Sequence, residues 1–236
     1  MGTISGGQGN TASGDRAAVG GGLNNTASGL RATVPGGEDN IAAGDYSFAA
    51  GQKAKINSNH NGTFLFADAN QADFNSASSN EFAVRATGGV RFVTAISGTT
   101  PTAGVQLAPG GSSWLTVSDR NAKTNFSHVD KKLILERLSE IPIDTWNYKT
   151  QDNSIRHIGP MAQDFYKAFN VGEDNKHINT VDADGVALAA IQGLYHLLKE
   201  KDTKIEDLNS SNKKLEKKID ELNKRIEKLE VLFSSK

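Results

Sequence analysis

The chain has 236 residues, a formal net charge of −1 at pH 7, 24 glycines and no cysteine. The near-neutral charge argues against a protein that binds nucleic acid electrostatically, and the missing cysteines exclude a disulfide scaffold, a thiolate zinc site and a cysteine nucleophile. No apolar run approaches the roughly 20 residues that a membrane span needs, and the start at Met1 lacks the pattern of a signal peptide, so we expect neither segment.

Glycine and charge are distributed unevenly along the chain. Residues 1–59 contain 13 of the 24 glycines, whereas residues 199–236 contain 11 Lys or Arg, 9 Asp or Glu, and neither glycine nor proline. Glycine disfavours helices, whereas a segment that lacks glycine and proline and is rich in charged residues favours a helix. We therefore expect a mainly β N-terminal half made of a repeat region (1–59) and a β-rich connector (60–117). An α+β domain (118–200) and a C-terminal helical coiled coil (201–236) follow.

The first region repeats with a period of 15 residues. Several columns are in phase, namely Ile4, Val19, Val34 and Ala49; Gly6, Gly21, Gly36 and Gly51; Asn10, Asn25 and Asn40; Ala12, Ala27 and Ala42; and Gly14, Gly29 and Gly44. A repeat this short cannot contain a helix pair and fits one coil of a β-solenoid, with glycine pairs at the turns and small side chains in a narrow core. A disordered glycine-rich linker is the alternative, but a linker has no reason to keep residues in phase.

These repeats, above all GGGLNNTASGLRATVPGGEDNIAAG, resemble the YadA-like head repeats of trimeric autotransporter adhesins. The resemblance covers residues 4–56 and implies a left-handed parallel β-roll in which three chains pack side by side. Similar repeats occur in bacteriophage tail fibres. The implied location is therefore either a phage virion or a bacterial cell surface.

The connector contains short runs rich in Phe and Val, at residues 63–67, 81–85 and 90–93, which predict strands. The pair Gly88-Gly89 predicts a hairpin turn between the second and third of these runs, and residues 105–107 and 114–115 are further strand candidates. We expect a small β-domain or an interchain β-prism. The charged residues in this region, Asp68, Asp73 and Arg85, are expected to be solvated.

The segment Ser118-Asp119-Arg120-Asn121-Ala122-Lys123 contains a serine and a lysine five residues apart. If the chain turns between them, the two side chains can meet. A lysine that is buried or crowded by other cations loses its proton more readily and can act as a general base on a serine hydroxyl. A Ser-Asp helix cap is the structural alternative.

Further motifs follow this hexapeptide in a fixed order. They are an amphipathic stretch at Leu133–Leu138, Ile143–Tyr148, Arg156–Phe165, and Val181–Ile191. This set resembles the endosialidase-type intramolecular chaperone domain, which closes phage tail spikes and tail fibres and has a relative in the myelin regulatory factor. The resemblance covers roughly residues 118–201.

The resemblance implies a homotrimer that cuts its own chain just before the motif serine. Carried over, Ser118 is the nucleophile, Lys123 is the general base and Val117–Ser118 is the cleaved bond. Asp119 keeps the family residue type and is a supporting candidate, as is His157, which either orients the cleavage site or makes a structural hydrogen bond. Donors to the oxyanion are not identifiable from the sequence.

Other candidate sites are weaker. The histidines show no metal-ligand spacing, so we expect no metal and no cofactor. The run Asp182-Ala183-Asp184-Gly185 is like the start of a calcium loop, but the twelfth position is Gly193, where the loop requires a glutamate, so we predict an N-cap for a helix over 186–198. The aromatic side chains at 146, 148, 165 and 169 (Trp146, Tyr148, Phe165 and Phe169) are expected in the core.

A heptad pattern runs from Ile191 to the end of the chain and predicts a coiled coil. The a positions are Ile191, Leu198, Ile205, Asn212, Ile219, Ile226 and Phe233, and the d positions are Leu194, Lys201, Leu208, Leu215, Leu222 and Leu229. Asn212 is expected to fix the register. Isoleucine at a with leucine at d favours dimers in isolated coils, but both resemblances imply a trimer, and we expect a trimer.

Two functions follow from these observations. The first is the C-terminal part of a trimeric fibre whose chaperone domain drives assembly and then cuts itself off at Val117–Ser118. The second is a structural or adhesive trimer that keeps its trimerisation domain attached. A peptidase acting on other proteins lacks a recognisable substrate motif. The expected partner is the chain itself in an elongated homotrimer, with no nucleic acid and no membrane span, and the receptor or glycan bound by the fibre is not identifiable.

Overall fold

A computed structural model describes residues 1–234, which form two compact units that divide between Thr124 and Asn125. The last two residues of the predicted coiled coil, and the side chain at its last a position (Phe233), lie outside the described part. The strands of the first unit are β1 Thr3–Ile4, β2 Thr11–Ala12, β3 Ala18–Val19, β4 Thr26–Ala27, β5 Thr33–Val34, β6 Gly37–Glu38, β7 Ile41–Ala42, β8 Phe48–Gln52, β9 Ala54–Ile56, β10 Phe64–Ala67, β11 Phe74–Asn75, β12 Phe82–Arg85, β13 Val90–Ser97, β14 Thr100–Leu107 and β15 Trp114–Thr116.

The first part of this unit is a parallel β-solenoid of about six turns. One sheet has the order β1-β3-β5-β8-β10-β12 with β6 beside β8, and the other has the order β11-β9-β7-β4-β2. Each strand pairs with the strand one coil later, as in Val19 opposite Val34 and Ala27 opposite Ala42. These inward side chains are almost completely buried, so the phased small residues form the core. The predicted parallel β-solenoid is confirmed.

An asparagine ladder runs along the inside of the solenoid. The Asn25 amide donates to the carbonyl oxygens of Gly21 (3.0 Å) and Gly37 (2.8 Å), and its Oδ1 accepts the backbone N–H of Asn40 at 3.0 Å. Both asparagine side chains are fully buried. The ladder therefore gives the backbone N–H of the buried Asn40 an acceptor and adds a donor to the carbonyl oxygens of the turns, which is the physical reason for the phased asparagine column.

The solenoid does not stop at residue 59, where the sequence analysis divided the chain. Phe64 pairs in parallel with Phe48, and Phe82 pairs with Phe64, so β10 and β12 extend the first sheet. The three rings stack with centroids 4.9 and 4.8 Å apart. Because β12 lies in the solenoid sheet, the hairpin predicted at Gly88-Gly89 between β12 and β13 is wrong.

The end of the solenoid is held by an ion pair that was expected to be solvated. Arg85 donates to Asp68 Oδ1 at 2.8 Å, and the two side chains are only 14% and 21% exposed. Its guanidinium also donates to the backbone oxygens of Gln52, Asp68, Asn70 and Ala72. Hydrogen bonds from the hydroxyl and the amide of Thr87, followed by the bond from Arg85, hold the pKa of Asp68 well below its usual range.

A separate antiparallel sheet completes the first unit. β13 and β14 form a hairpin that turns at Gly98, and β14 pairs with β15, ending with Val105 opposite Thr116. The strands predicted at 105–107 and 114–115 lie within β14 and β15. This sheet brings the chain directly to Val117 and Ser118.

The described part of the second unit consists of helices and one short hairpin. Its elements are α1 Lys131–Glu140, β16 Asp144–Trp146, β17 His157–Gly159, α2 Ala162–Phe169 and α3 Thr180–Ser234. Phe165, Phe169 and Val186 form its buried cluster, against which the apolar side of α1 packs. Phe165 and Phe169 are core residues as predicted, whereas Tyr148 is exposed and Trp146 only partly buried.

The long helix α3 begins earlier than the sequence pattern suggested. The amide N–H of Asp182 bonds to Asn179 Oδ1 at 2.8 Å, and the Asn179 amide donates to Asp182 Oδ2 at 2.7 Å. The helix therefore starts at Thr180, and the predicted N-cap ahead of 186 is wrong because the Asp182–Gly185 run lies inside the first turns. Within residues 1–234, no helix combines the length and the hydropathy required to traverse a bilayer.

Candidate active site

The candidate site lies in the turn that follows β15. Lys123 Nζ lies 2.8 Å from Ser118 Oγ and donates a hydrogen bond to it. The two residues are five positions apart, and the chain reverses between them through a single 3-10 turn at Arg120–Ala122. The structure thus brings together the serine and the lysine that the sequence motif singled out.

Asp119 occupies the N-cap of this turn. Its Oδ1 accepts the backbone N–H of Asn121 at 2.9 Å and the side-chain amide of the same residue at 3.1 Å. Lys123 then leaves the turn in an extended conformation, with φ −125° and ψ 156°. The cap predicted as the structural alternative for this hexapeptide is therefore present together with the Ser–Lys contact, and the sequence reasoning missed Asn121 as its partner.

The peptide bond before Ser118 lies just outside the antiparallel sheet. Thr116 is the last residue of β15 with a ladder partner, and Val117 is about half-exposed. Ser118 and Lys123 are exposed as well. A break between Val117 and Ser118 would therefore remove no ladder pair from the sheet, and the bond is accessible in the single chain.

His157, the second supporting candidate, lies in β17. Its Nε2 is 2.8 Å from Gln151 Oε1, and its ring packs against Trp146 and Tyr148 with centroid distances of 4.8 and 5.5 Å. These contacts fit the structural hydrogen-bonding role that the sequence analysis weighed for this histidine. The Trp146 Nε1 group beside it is buried without a hydrogen-bond partner.

The predicted coiled-coil residues all lie on α3. Those at a and d, namely Ile205, Leu208, Leu215, Ile219, Leu222, Ile226 and Leu229, are between 51% and 56% exposed in the single chain. Asn212 lies in the same row and is also exposed. A mainly apolar row left half-exposed over this length is typical of a helix that packs against other helices.

In the described part of the chain, no group of three or more His, Cys, Asp or Glu residues could hold a metal ion. Comparison with known proteins identifies one family. Residues 118–171 match the model of the peptidase S74 family, described as chaperone of endosialidase. The match starts at Ser118, includes Lys123 and extends just past α2, and it supports a chaperone domain in this part of the chain. No curated protein and no solved structure matches the chain.

Proposed function

We propose that residues 118–200 are an intramolecular chaperone that assembles a fibre-forming homotrimer and then cuts the chain once, between Val117 and Ser118. The family match suggests the chaperone role in a trimeric tail fibre or spike. The observation that carries the cleavage step is the 2.8 Å contact between Lys123 Nζ and Ser118 Oγ beside an accessible peptide bond.

The chemistry begins with the Ser118 hydroxyl. Lys123, as a neutral amine, takes the Oγ proton while Oγ attacks the carbonyl carbon of Val117. The tetrahedral intermediate collapses when the nitrogen of Ser118 leaves with a proton from Lys123, and an ester joins Val117 to Ser118 Oγ. Water then hydrolyses this ester, which leaves a carboxylate on Val117 and restores the Ser118 hydroxyl.

The lysine must be neutral for the first step, and water stabilises its charged form. Both side chains of the dyad are exposed in the single chain, so neighbouring chains of the trimer would have to bury the site. Cleavage would then take place only after assembly. Because each chain cuts itself once, the reaction is a maturation step without turnover.

The same proposal assigns roles to the other regions. The a and d row of α3 brings three chains into register, and the solenoid is a YadA-like head repeat that packs side by side with its copies. Non-local β-structure of this kind forms slowly, and an assembly aid shortens the search. The product is part of a phage tail fibre or spike, or of a bacterial surface adhesin, and removal of the aid leaves the fibre kinetically trapped.

Mass spectrometry of purified variants tests the dyad. The wild-type chain should yield a fragment that begins at Ser118, and Ser118→Ala and Lys123→Arg should remain intact, since a guanidinium keeps the charge but cannot accept the proton. Ser113→Ala and Lys132→Ala are matched controls and should cleave like the wild type. Cleavage in Ser118→Ala, or its loss in the controls, contradicts the proposal.

The second candidate function is a structural or adhesive trimer that keeps its tail attached. The exposure of Ser118 and Lys123 favours it, since a solvated ammonium is a poor base. The two functions share the α3 trimer and differ only in cleavage. A trimer mass from light scattering together with an uncut wild-type chain would select this second function.

A further inference from the structure

The 3-10 turn between Ser118 and Lys123 is a weak element on its own. Its two backbone bonds, Ala122 N–H to Asp119 O and Lys123 N–H to Arg120 O, are both 3.2 Å long. It spans only three residues, and all of them are exposed. Short 3-10 segments are marginally stable, because their hydrogen-bond geometry is poor and few bonds offset the ordering of the chain. Contacts that close this turn therefore control how often Nζ reaches Oγ.

The Asp119 side chain supplies such a contact. One oxygen, Oδ1, accepts both the backbone N–H (2.9 Å) and the side-chain amide (3.1 Å) of Asn121. Through these bonds Asp119, which follows Ser118, holds Asn121 in the middle of the turn, two residues before Lys123. We infer that Asp119 is a positioning residue that closes the turn and holds Lys123 on Ser118. This inference rests on the proposed self-cleavage.

A carboxylate next to the dyad could instead act through its charge. A negative group near a lysine favours the ammonium form, and this would alter the pH at which the amine becomes a base. The two roles differ in what they require of the side chain. Closing the turn needs only an oxygen acceptor at Oδ1, which asparagine also has, whereas an electrostatic role needs the charge.

Two substitutions in the full-length chain separate these roles. The rate of cleavage is measured by pulse-labelled synthesis between pH 6 and pH 9. Asp119→Ala should cleave about five-fold more slowly, the factor that corresponds to ~1 kcal/mol for a lost N-cap. Asp119→Asn should stay within about two-fold of the wild type, because the two residues are equivalent as N-caps. Neither variant should change the shape of the pH–rate profile.

Three results would overturn the inference. An Asp119→Asn chain that cleaves as slowly as Asp119→Ala would show that the charge matters, and a displaced pH–rate profile in Asp119→Asn would show the same. An Asp119→Ala chain that cleaves at the wild-type rate would show that Asp119 does not position the lysine.

A second measurement does not depend on cleavage. In a Ser118→Ala background, where the proposed reaction is blocked, amide hydrogen exchange at Asn121 reports closure of the turn. Adding Asp119→Ala should accelerate this exchange about five-fold, and adding Asp119→Asn should not. Equal exchange in the two variants would refute the positioning role. An uncut wild-type chain would refute the proposed self-cleavage, and the exchange result would then decide the role of Asp119 in the turn by itself.

Discussion

Replacing Gly193 with alanine should loosen the packing of α1 on α3, although alanine is the better helix former. A Cβ added at Gly193 would lie 2.4 Å from the carbonyl oxygen of Lys131, 3.0 Å from its carbonyl carbon and 3.3 Å from Leu135 Cβ. The closest atoms are backbone atoms at the start of α1. The clash can be relieved only if α1 moves away from α3.

The expected magnitude follows from two opposing effects. Alanine stabilises a helix interior by about 1 kcal/mol relative to glycine, and overpacking costs about 1–3 kcal/mol. Gly193→Ala should therefore be neutral to destabilising by about 2 kcal/mol. Gly185→Ala is the matched control in the same helix, because no atom lies within 4 Å of an added Cβ there. It should stabilise the helix by about 1 kcal/mol. Neither position is at a or d of the heptad register.

Amide hydrogen exchange of α1 in the full chain measures this effect. The α1 amides of Gly193→Ala should exchange about 5- to 150-fold faster than those of Gly185→Ala. This factor is the increase in the equilibrium constant for opening of α1 that an overpacking cost of about 1–3 kcal/mol produces. Equal protection of α1 in the two variants would refute the close approach of Lys131 to Gly193.

Three further predictions concern the solenoid. Arg85→Ala should destabilise the C-terminal end of the solenoid by about 1–3 kcal/mol, because the part-buried oxygens of Gln52 and Asp68 lose hydrogen bonds and the Asp68 carboxylate loses its partner; amide exchange of β10 and β12 measures this. Arg16→Ala, whose ion pair is exposed, should change stability by less than about 0.5 kcal/mol. The folded-state pKa of Asp68 is lowered, so the Asp68 carboxylate should stabilise the fold fully above about pH 4 and progressively less as the pH falls towards the folded-state pKa. Thermal melts as a function of pH should show this loss of stability, and Asp68→Asn should abolish the pH dependence that Asp68 causes. Asn25→Ala should lower the melting temperature, since it leaves the backbone N–H of the buried Asn40 without its acceptor at a cost of about 1–3 kcal/mol, and an unchanged melt would contradict the ladder.

The repeat region could be predicted because each coil has the same length and the same buried positions. Beyond β8 the coils lengthen, and Phe48, Phe64 and Phe82 are 16 and then 18 residues apart, although they lie in neighbouring strands. Sequence phase is lost there while the backbone pairing continues. This is why the sequence suggested a separate domain from residue 60 and a hairpin at Gly88-Gly89.

The candidate site could be predicted in part. The spacing of Ser118 and Lys123 allows a contact if the chain turns, but nothing in the spacing shows that Asn121 would bond to Asp119 and close that turn. Similarly, the start of α3 depends on a reciprocal cap between Asn179 and Asp182, and the periodicity of apolar residues contains no sign of this cap. In each case a local side-chain-to-backbone hydrogen bond, rather than a hydrophobic pattern, determines the geometry.

The most direct test of the proposed self-cleavage is the intact mass of the wild-type full-length protein after folding. Self-cleavage predicts two species, residues 1–117 and residues 118–236, together with a new N-terminus at Ser118. A single species with the mass of the uncut 236-residue chain would contradict it.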